Sequence, residues 1–263
     1  MAIKTITRYR PLGVALDTIR LVIGLTLGAL VSLLWSLIAL PLVWVLPEKL
    51  GRSVGRGFVW TSFRGYLRAL ELIGAYRIDA QALDLVEATG PMVIAPNHPS
   101  LLDAIIALSR IPNLACIMKA QIADNLFLGA GARLCRYIRN DTPHGMIHAA
   151  VAELKAGRHL LLFPEGTRTN RLPIGPIRGG IGVIAKHAQA PVQTVLIETD
   201  SEFLGKSWPL SRIPRTPIHV RVQLGQRFDP PTDTHAFAAE LERYFEAALV
   251  LLAEKTHRPP TQG

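Results

Sequence analysis

Between Leu21 and Pro47 no charged residue interrupts the chain, and this run dominates its hydrophobic pattern. A helix needs about 20 apolar residues to cross the hydrocarbon core, so the run is long enough to do so. It is too long for a signal peptide, whose apolar part spans about 7–15 residues, and no small-x-small cleavage site follows it. Phe58 to Ile78 then reads as a second, basic amphipathic helix. Beyond residue 75 the pattern changes. Short apolar runs at 76–79, 92–95, 114–118, 159–163, 192–198 and 218–224 read as strands, and helical patterns occupy 99–109, 143–156, 181–188 and 235–255. The stretch from Lys119 through Arg139 reads as mobile, 165–180 as a glycine-rich loop, and 201–216 as a loop rich in Pro, Ser and Arg. Strands alternating with helices predict an α/β fold, a mostly parallel mixed sheet flanked by helices. Residues 75–263 form this domain, behind a membrane-associated helical segment at 1–74.

Charge refines the N-terminal picture. The chain carries a net charge of +9, and residues 1–80 hold ten Lys and Arg against four Asp and Glu. These cations flank apolar segments and form no separate polar patch, which favours anionic lipid headgroups over nucleic acid as the partner. Lys4, Arg8, Arg10 and Arg20 precede the apolar run, while Lys49, Arg52, Arg56, Arg64 and Arg68 follow it. Neither flank wins under the positive-inside rule, and Pro41 interrupts the run. Two arrangements fit: a hairpin dipping into one leaflet, or a single crossing. Trp35, Trp44 and Trp60 would mark interfacial depth. The two cysteines, Cys116 and Cys135, read as structural thiols of a reducing compartment.

Chemistry concentrates in two stretches, Asn97-His98-Pro99-Ser100-Leu101-Leu102-Asp103 and Phe163-Pro164-Glu165-Gly166-Thr167-Arg168-Thr169. On one continuous helix, side chains five apart point about 140° away from each other, so His98 and Asp103 cannot meet there. They meet if His98 lies in a loop and Asp103 in the first turns of the next helix, with Pro99 suited to the first helical position and Ser100 to capping. Asp103 then fixes the imidazole tautomer and leaves the other nitrogen free to take a proton. The plainer reading is a helix cap beside an acidic residue at the helix's positive end. In the second stretch, Pro164 and Gly166 break a strand, and Glu165 and Arg168 emerge at its carboxyl end beside His98. Arg168 can grip phosphate oxygens bidentately, and Glu165 can accept from a substrate hydroxyl or steady an arginine. The alternative is an exposed Glu–Arg pair on a turn. The glycine-rich loop before residue 181 could present amides to phosphate, with Arg171 and Arg178 adding charge, or could simply connect two elements.

These two stretches resemble the first and third motifs of the glycerolipid acyltransferases, and most nearly those of the bacterial 1-acyl-sn-glycerol-3-phosphate acyltransferases. Phe127-Leu128-Gly129 and Tyr137-Ile138-Arg139, within Lys119–Arg139, resemble the second block. Ala190-Pro191-Val192-Gln193-Thr194-Val195 resembles the fourth, a strand lining the acyl pocket. The resemblance spans roughly residues 75 to 225. It implies an enzyme of the inner membrane facing the cytoplasm, a lysophospholipid acceptor, an acyl-CoA or acyl carrier protein donor, and no cofactor. His98 and Asp103 would be catalytic. Arg139 would bind the acceptor phosphate, and Lys119, Glu165, Gly166, Thr167, Arg168 and Arg178 would contact substrate. Pro99, Thr194 and Arg178 depart from the usual glutamine, proline and lysine and lie around the expected pocket.

Two rival functions share the residues. A metal-dependent phosphoesterase would use His98, Asp103 and Glu165 as ligands, and a lipid-binding adaptor would use none of them catalytically. His144 and His148 share a helix face at i, i+4, a spacing that suits a metal pair or a solvated surface.

Overall fold

In the computed structural model, residues 11–86, 90–125, 128–209 and 211–257 are described; Lys4, Arg8, Arg10 and Phe127 lie outside them. Two helices, α1 (Pro11–Val45) and α2 (Glu48–Leu72), precede β1 (Tyr76–Asp79) and a 3-10 turn at Gln81–Val86. There follow β2 (Val93–Pro96), α3 (Leu102–Arg110), β3 (Ala115–Met118), α4 (Ala120–Ala123), α5 (Gly129–Leu134) and β4 (Ile138–Arg139). The chain continues through α6 (Pro143–Lys155), β5 (Leu160–Leu161), α7 (Gly180–Ala188), β6 (Val192–Thr199), β7 (Ile218–Phe228) and α8 (Thr234–His257).

The strands form one sheet in the order β1-β7-β6-β2-β5-β3-β4. From β6 to β4 every pairing is parallel; β7 runs antiparallel to β6, and β1 pairs parallel with β7. The expected mixed, mostly parallel sheet is therefore present. The reversal brings the start of β1 and β7 to the same edge as the carboxyl ends of β2, β5 and β6. Strand β2 is buried along its whole length, as a central parallel strand covered on both faces must be. One core layer gathers Ile94, Leu102, Ile106 and Leu70 beneath α2 and α3. The other packs Val93, Leu160, Ile184 and Phe245 beneath α7 and α8.

Several elements differ from the sequence expectation. The stretch expected to be mobile up to Arg139 contains α4, α5 and β4. Its Gly129-Ala130-Gly131-Ala132 core carries no long apolar residue, so it shows no helical periodicity. Those small residues instead admit α1: a Cβ on Gly131 would collide with the Trp35 indole. Trp35, expected at an interface, is thus buried in this contact and stacks on Phe58 at 3.8 Å. Pro41 does not end α1. The amphipathic helix begins at Glu48, ten residues earlier than expected, and ends at Leu72, six residues earlier.

Helices α1 and α2 are seated firmly on the sheet domain. Near its start α1 places Asp17 against Thr216, which donates to its carboxylate, and near its end Ala39 is fully buried beside α5. Its other face exposes Leu34, Leu37, Ile38 and Trp44. In α2, Arg56 is buried and donates to the Cys135 and Asn113 carbonyls and, at 3.0 Å, to Glu153 of α6. Arg158 reaches the same carboxylate at 2.6 Å. Burial pushes both Cys116 and Cys135 thiols up to about 12. Neither should react with thiol reagents at neutral pH until the protein is denatured, a result that a colorimetric thiol titration reads directly.

Candidate active site

Strand β2 ends in a loop that must reverse before α3 begins, and His98 sits in it. Helix α3 starts at Leu102, so Pro99 lies three residues ahead of it and not at its first position. Asn97 fixes the exit from β2: its side-chain amide donates to the Ile197 carbonyl at 2.9 Å, and its side-chain oxygen accepts from the Ile197 N–H at 2.7 Å. Across this loop–helix junction, His98 Nδ1 lies 3.0 Å from Asp103 Oδ2. The same carboxylate oxygen accepts from the Ser100 N–H at 2.7 Å, so Asp103 both closes the helix start and orients the imidazole. Asp103 is 1% exposed. Burial pushes its carboxyl up, against the hydrogen bonds from His98 and Ser100 that favour the ionised form. With the carboxylate accepting, the Nδ1 position carries the proton and Nε2 is the basic nitrogen.

Three further groups hold the ring. Phe163, at the end of the β5 run, stacks on His98 with centroids 3.8 Å apart and planes 20° from parallel. The His98 N–H donates to Glu165 Oε1, and its carbonyl accepts from the Thr169 N–H at 2.7 Å. Sequence reasoning named Phe163 and Thr169 only as motif letters; contacts between separate loops gave them no local signal. Strands β2 and β5 are parallel neighbours, and this adjacency brings the two motifs together.

The remaining candidates have definite places. Glu165, expected to meet a substrate hydroxyl or steady an arginine, is buried and ties loops together. It accepts from His98 N–H, from the Thr169 hydroxyl at 2.7 Å and from the Gly175 N–H at 2.8 Å. Arg168 gives one guanidinium nitrogen to the carbonyls of Leu204 and Gly205, anchoring the 201–216 loop over the site. Gly166 turns at φ +67°, and a Cβ there would press on the Arg178 side chain at 2.9 Å, so this glycine lets Arg178 cross the turn. Thr167 lies half-buried between Gly166 and Arg168, and Lys119 is exposed at the carboxyl end of β3. Arg139 is bound by Asp124 at 2.8 Å and Asp141 at 3.0 Å, with its charge already matched by two carboxylates. Thr194 sits inside the sheet. It is fully buried in β6 and donates to the Gln226 carbonyl where the β6–β7 register shifts.

The helix-start amides, attractive as oxyanion donors, are all engaged. Ser100 N–H donates to Asp103, Leu101 N–H to the Leu204 carbonyl, and Leu102 N–H to the Ser100 hydroxyl. The Ser100 hydroxyl itself donates to the Phe203 carbonyl, which leaves it ill placed as a nucleophile. Among the described residues no three His, Cys, Asp or Glu side chains converge as a metal site, and His144 and His148 are exposed on α6.

Residues 77–198 match the family model described as Acyltransferase. A lyso-ornithine lipid O-acyltransferase of Rhodobacter capsulatus is 35% identical over 89 residues, 32% of each chain. The mouse 1-acyl-sn-glycerol-3-phosphate acyltransferase alpha is 26% identical over 153 residues, 53% of each chain. The chain thus spans a third to a half of these curated relatives. The crystal structure of the 1-acyl-sn-glycerophosphate acyltransferase PlsC from Thermotoga maritima superposes with a TM-score of 0.60 at 15% identity, covering 90% of this chain and 99% of that one. That similarity shows a common fold. Residues 77–198 are thus similar to the acyltransferase family model, and the fold around them is that of a solved acyltransferase.

Proposed function

We propose that this protein transfers a fatty acyl group from a thioester, acyl-CoA or acyl carrier protein, to the free hydroxyl of a lysophospholipid, with 1-acyl-sn-glycerol 3-phosphate as the principal acceptor. The observation that carries this reading is the clamped His98, with one nitrogen on a buried carboxylate and the ring stacked on Phe163; Nε2 is then the nitrogen that would meet substrate. Nε2 takes the acceptor's hydroxyl proton as its oxygen attacks the thioester carbonyl. The resulting tetrahedral intermediate collapses with cleavage of the carbon–sulfur bond, and the thiolate leaves and takes the proton. A parent thiol of pKa about 8.5 makes that departure easy, so one base suffices and no acyl-enzyme is needed. Arg178, crossing the Gly166 turn, and the unengaged part of the Arg168 guanidinium supply cations for the acceptor's phosphate.

A second acceptor, lyso-ornithine lipid, is favoured by one feature. A cleft of about 930 Å³ beside Pro99 carries both signs of charge, its lining including Arg171 and Lys206 with Glu198, Asp200 and Glu202. A zwitterionic headgroup suits such a lining. Purified protein incubated with each donor and a panel of lyso-lipids should yield a diacyl product identified by mass, at a rate unchanged by a chelator. Chelator-sensitive phosphate release with no acyl transfer would replace this reading with the phosphoesterase.

The N-terminal segment, residues 1–74, serves in this reading as the seat on the inner membrane's cytoplasmic face. Helix α1 is apolar enough to cross, its Leu12–Val45 span holding an 18-residue stretch of mean hydropathy 2.3. Its contacts with the catalytic body lie 22 residues apart, at Asp17 and Ala39, or about 33 Å along the helix. A helix bound to one body over that length lies along the membrane, with its free apolar face in one leaflet. Cysteines introduced as Leu12→Cys and Thr61→Cys should both label from the cytoplasmic side; labelling from opposite sides would establish a crossing.

A further inference from the structure

Asp103 Oδ2 holds His98 and Ser100, yet its second oxygen, Oδ1, is buried with no hydrogen-bond partner. A buried carboxylate oxygen without a donor is costly, on the order of 1–3 kcal/mol or more for a charged group. A second orphan lies nearby. The Tyr76 hydroxyl, at the start of β1, is buried and also lacks a partner, and Tyr76 is 4% exposed. The reversal of β1 and β7 places that end of β1 at the sheet edge where β2 releases His98. The two groups sense each other: burial pushes the Tyr76 phenol far up, and the neighbouring Tyr66 and the Asp103 charge add to the shift. Between the anchor helices and the site, a small, partly open hollow of about 10 Å³ is lined by Tyr76, Tyr66, Arg20, Leu102, Phe203 and Leu204. That is room for about one water beside Tyr76, and Leu102, next to Asp103 in the chain, forms part of the wall.

We propose that Tyr76 is a positioning residue for the catalytic pair, its hydroxyl donating to one water that in turn donates to Asp103 Oδ1. This rests on the reading of His98 as the base. Tyr76 lies outside both motif stretches and acts through the carboxylate, never touching substrate. With Oδ1 occupied, Asp103 cannot rotate to present a different oxygen, and the His98 tautomer stays fixed. Without the tyrosine donor the carboxylate becomes a stronger acceptor, and the His98–Asp103 pair binds its proton more tightly. Glu165, which raises Asp103 further by its charge, is the other acidic group facing the pair.

The test is a double-mutant cycle with a pH profile. Tyr76→Phe keeps the ring that fills the core and removes only the hydroxyl. It should lower kcat about 10-fold with KM little changed, and move the acidic limb of kcat/KM to higher pH by about half a unit or more. In an Asp103→Asn background the same substitution should have no further effect, because the group it acts on is gone. An equal loss in both backgrounds, or an unmoved limb, overturns the proposal and leaves Tyr76 a packing residue. If His98→Ala and Asp103→Asn retain activity, the reading of the base fails instead, and the two failures are thereby told apart.

Discussion

Replacing His98 with alanine is expected to lower acyl transfer by about 10²–10⁴-fold, the range typical of a lost general base. The protein should remain folded and bound to anionic vesicles. The side chain makes one hydrogen bond, to Asp103, and one ring contact, to Phe163, while the backbone links to Glu165 and Thr169 survive the substitution. The loss should therefore appear in kcat, with acceptor KM nearly unchanged, since the cations proposed for the acceptor's phosphate, Arg168 and Arg178, stand on another loop. Product formation by the variant within a few-fold of wild type would remove His98 from the mechanism.

A second large effect is expected far from the chemistry. Arg56→Leu removes the buried cation that reaches two carbonyls and Glu153. Breaking one side of a buried ion pair costs about 3–5 kcal/mol, and for a chain of this size that lowers Tm by roughly 10 °C. Thermal unfolding in detergent measures it. Glu153 also sets an acid limit. Burial pushes its carboxyl up, but Arg158 and Arg56 outweigh that and hold it below its ordinary value of 4.5. A depressed carboxylate contributes stability that is present above the unfolded value and is lost as pH falls through the folded one. Wild type should accordingly lose Tm steeply below about pH 4.5, and Glu153→Gln should show a lower Tm at neutral pH with a flatter acid slope.

The legibility of this chain in its sequence divides along a physical line. What depends on local pattern was readable: the strands at 76–79, 115–118 and 192–199, the helix over 143–155, and the requirement that His98 and Asp103 meet across a loop–helix junction. What depends on contacts between distant segments was not. The roles of Glu165 and Arg168 as loop ties follow from Gly175, Leu204 and Gly205, which only the folded chain brings near. Phe163 reads as a strand residue until β5 is laid beside β2. Helix α5 was invisible because its small residues are shaped by Trp35, almost a hundred positions earlier.

The grip of α1 and α2 on the sheet domain bears on any attempt to obtain this protein free of lipid. Trimming the chain at residue 75 deletes the guanidinium under Cys135, Asn113 and Glu153 and uncovers the glycine face of α5. Such a fragment is expected to aggregate on expression. Polar replacements confined to the outward row of Leu34, Leu37, Ile38 and Trp44 keep every buried contact and change only what meets the solvent. Water-soluble variants should be sought there, by repainting the helix and not by removing it.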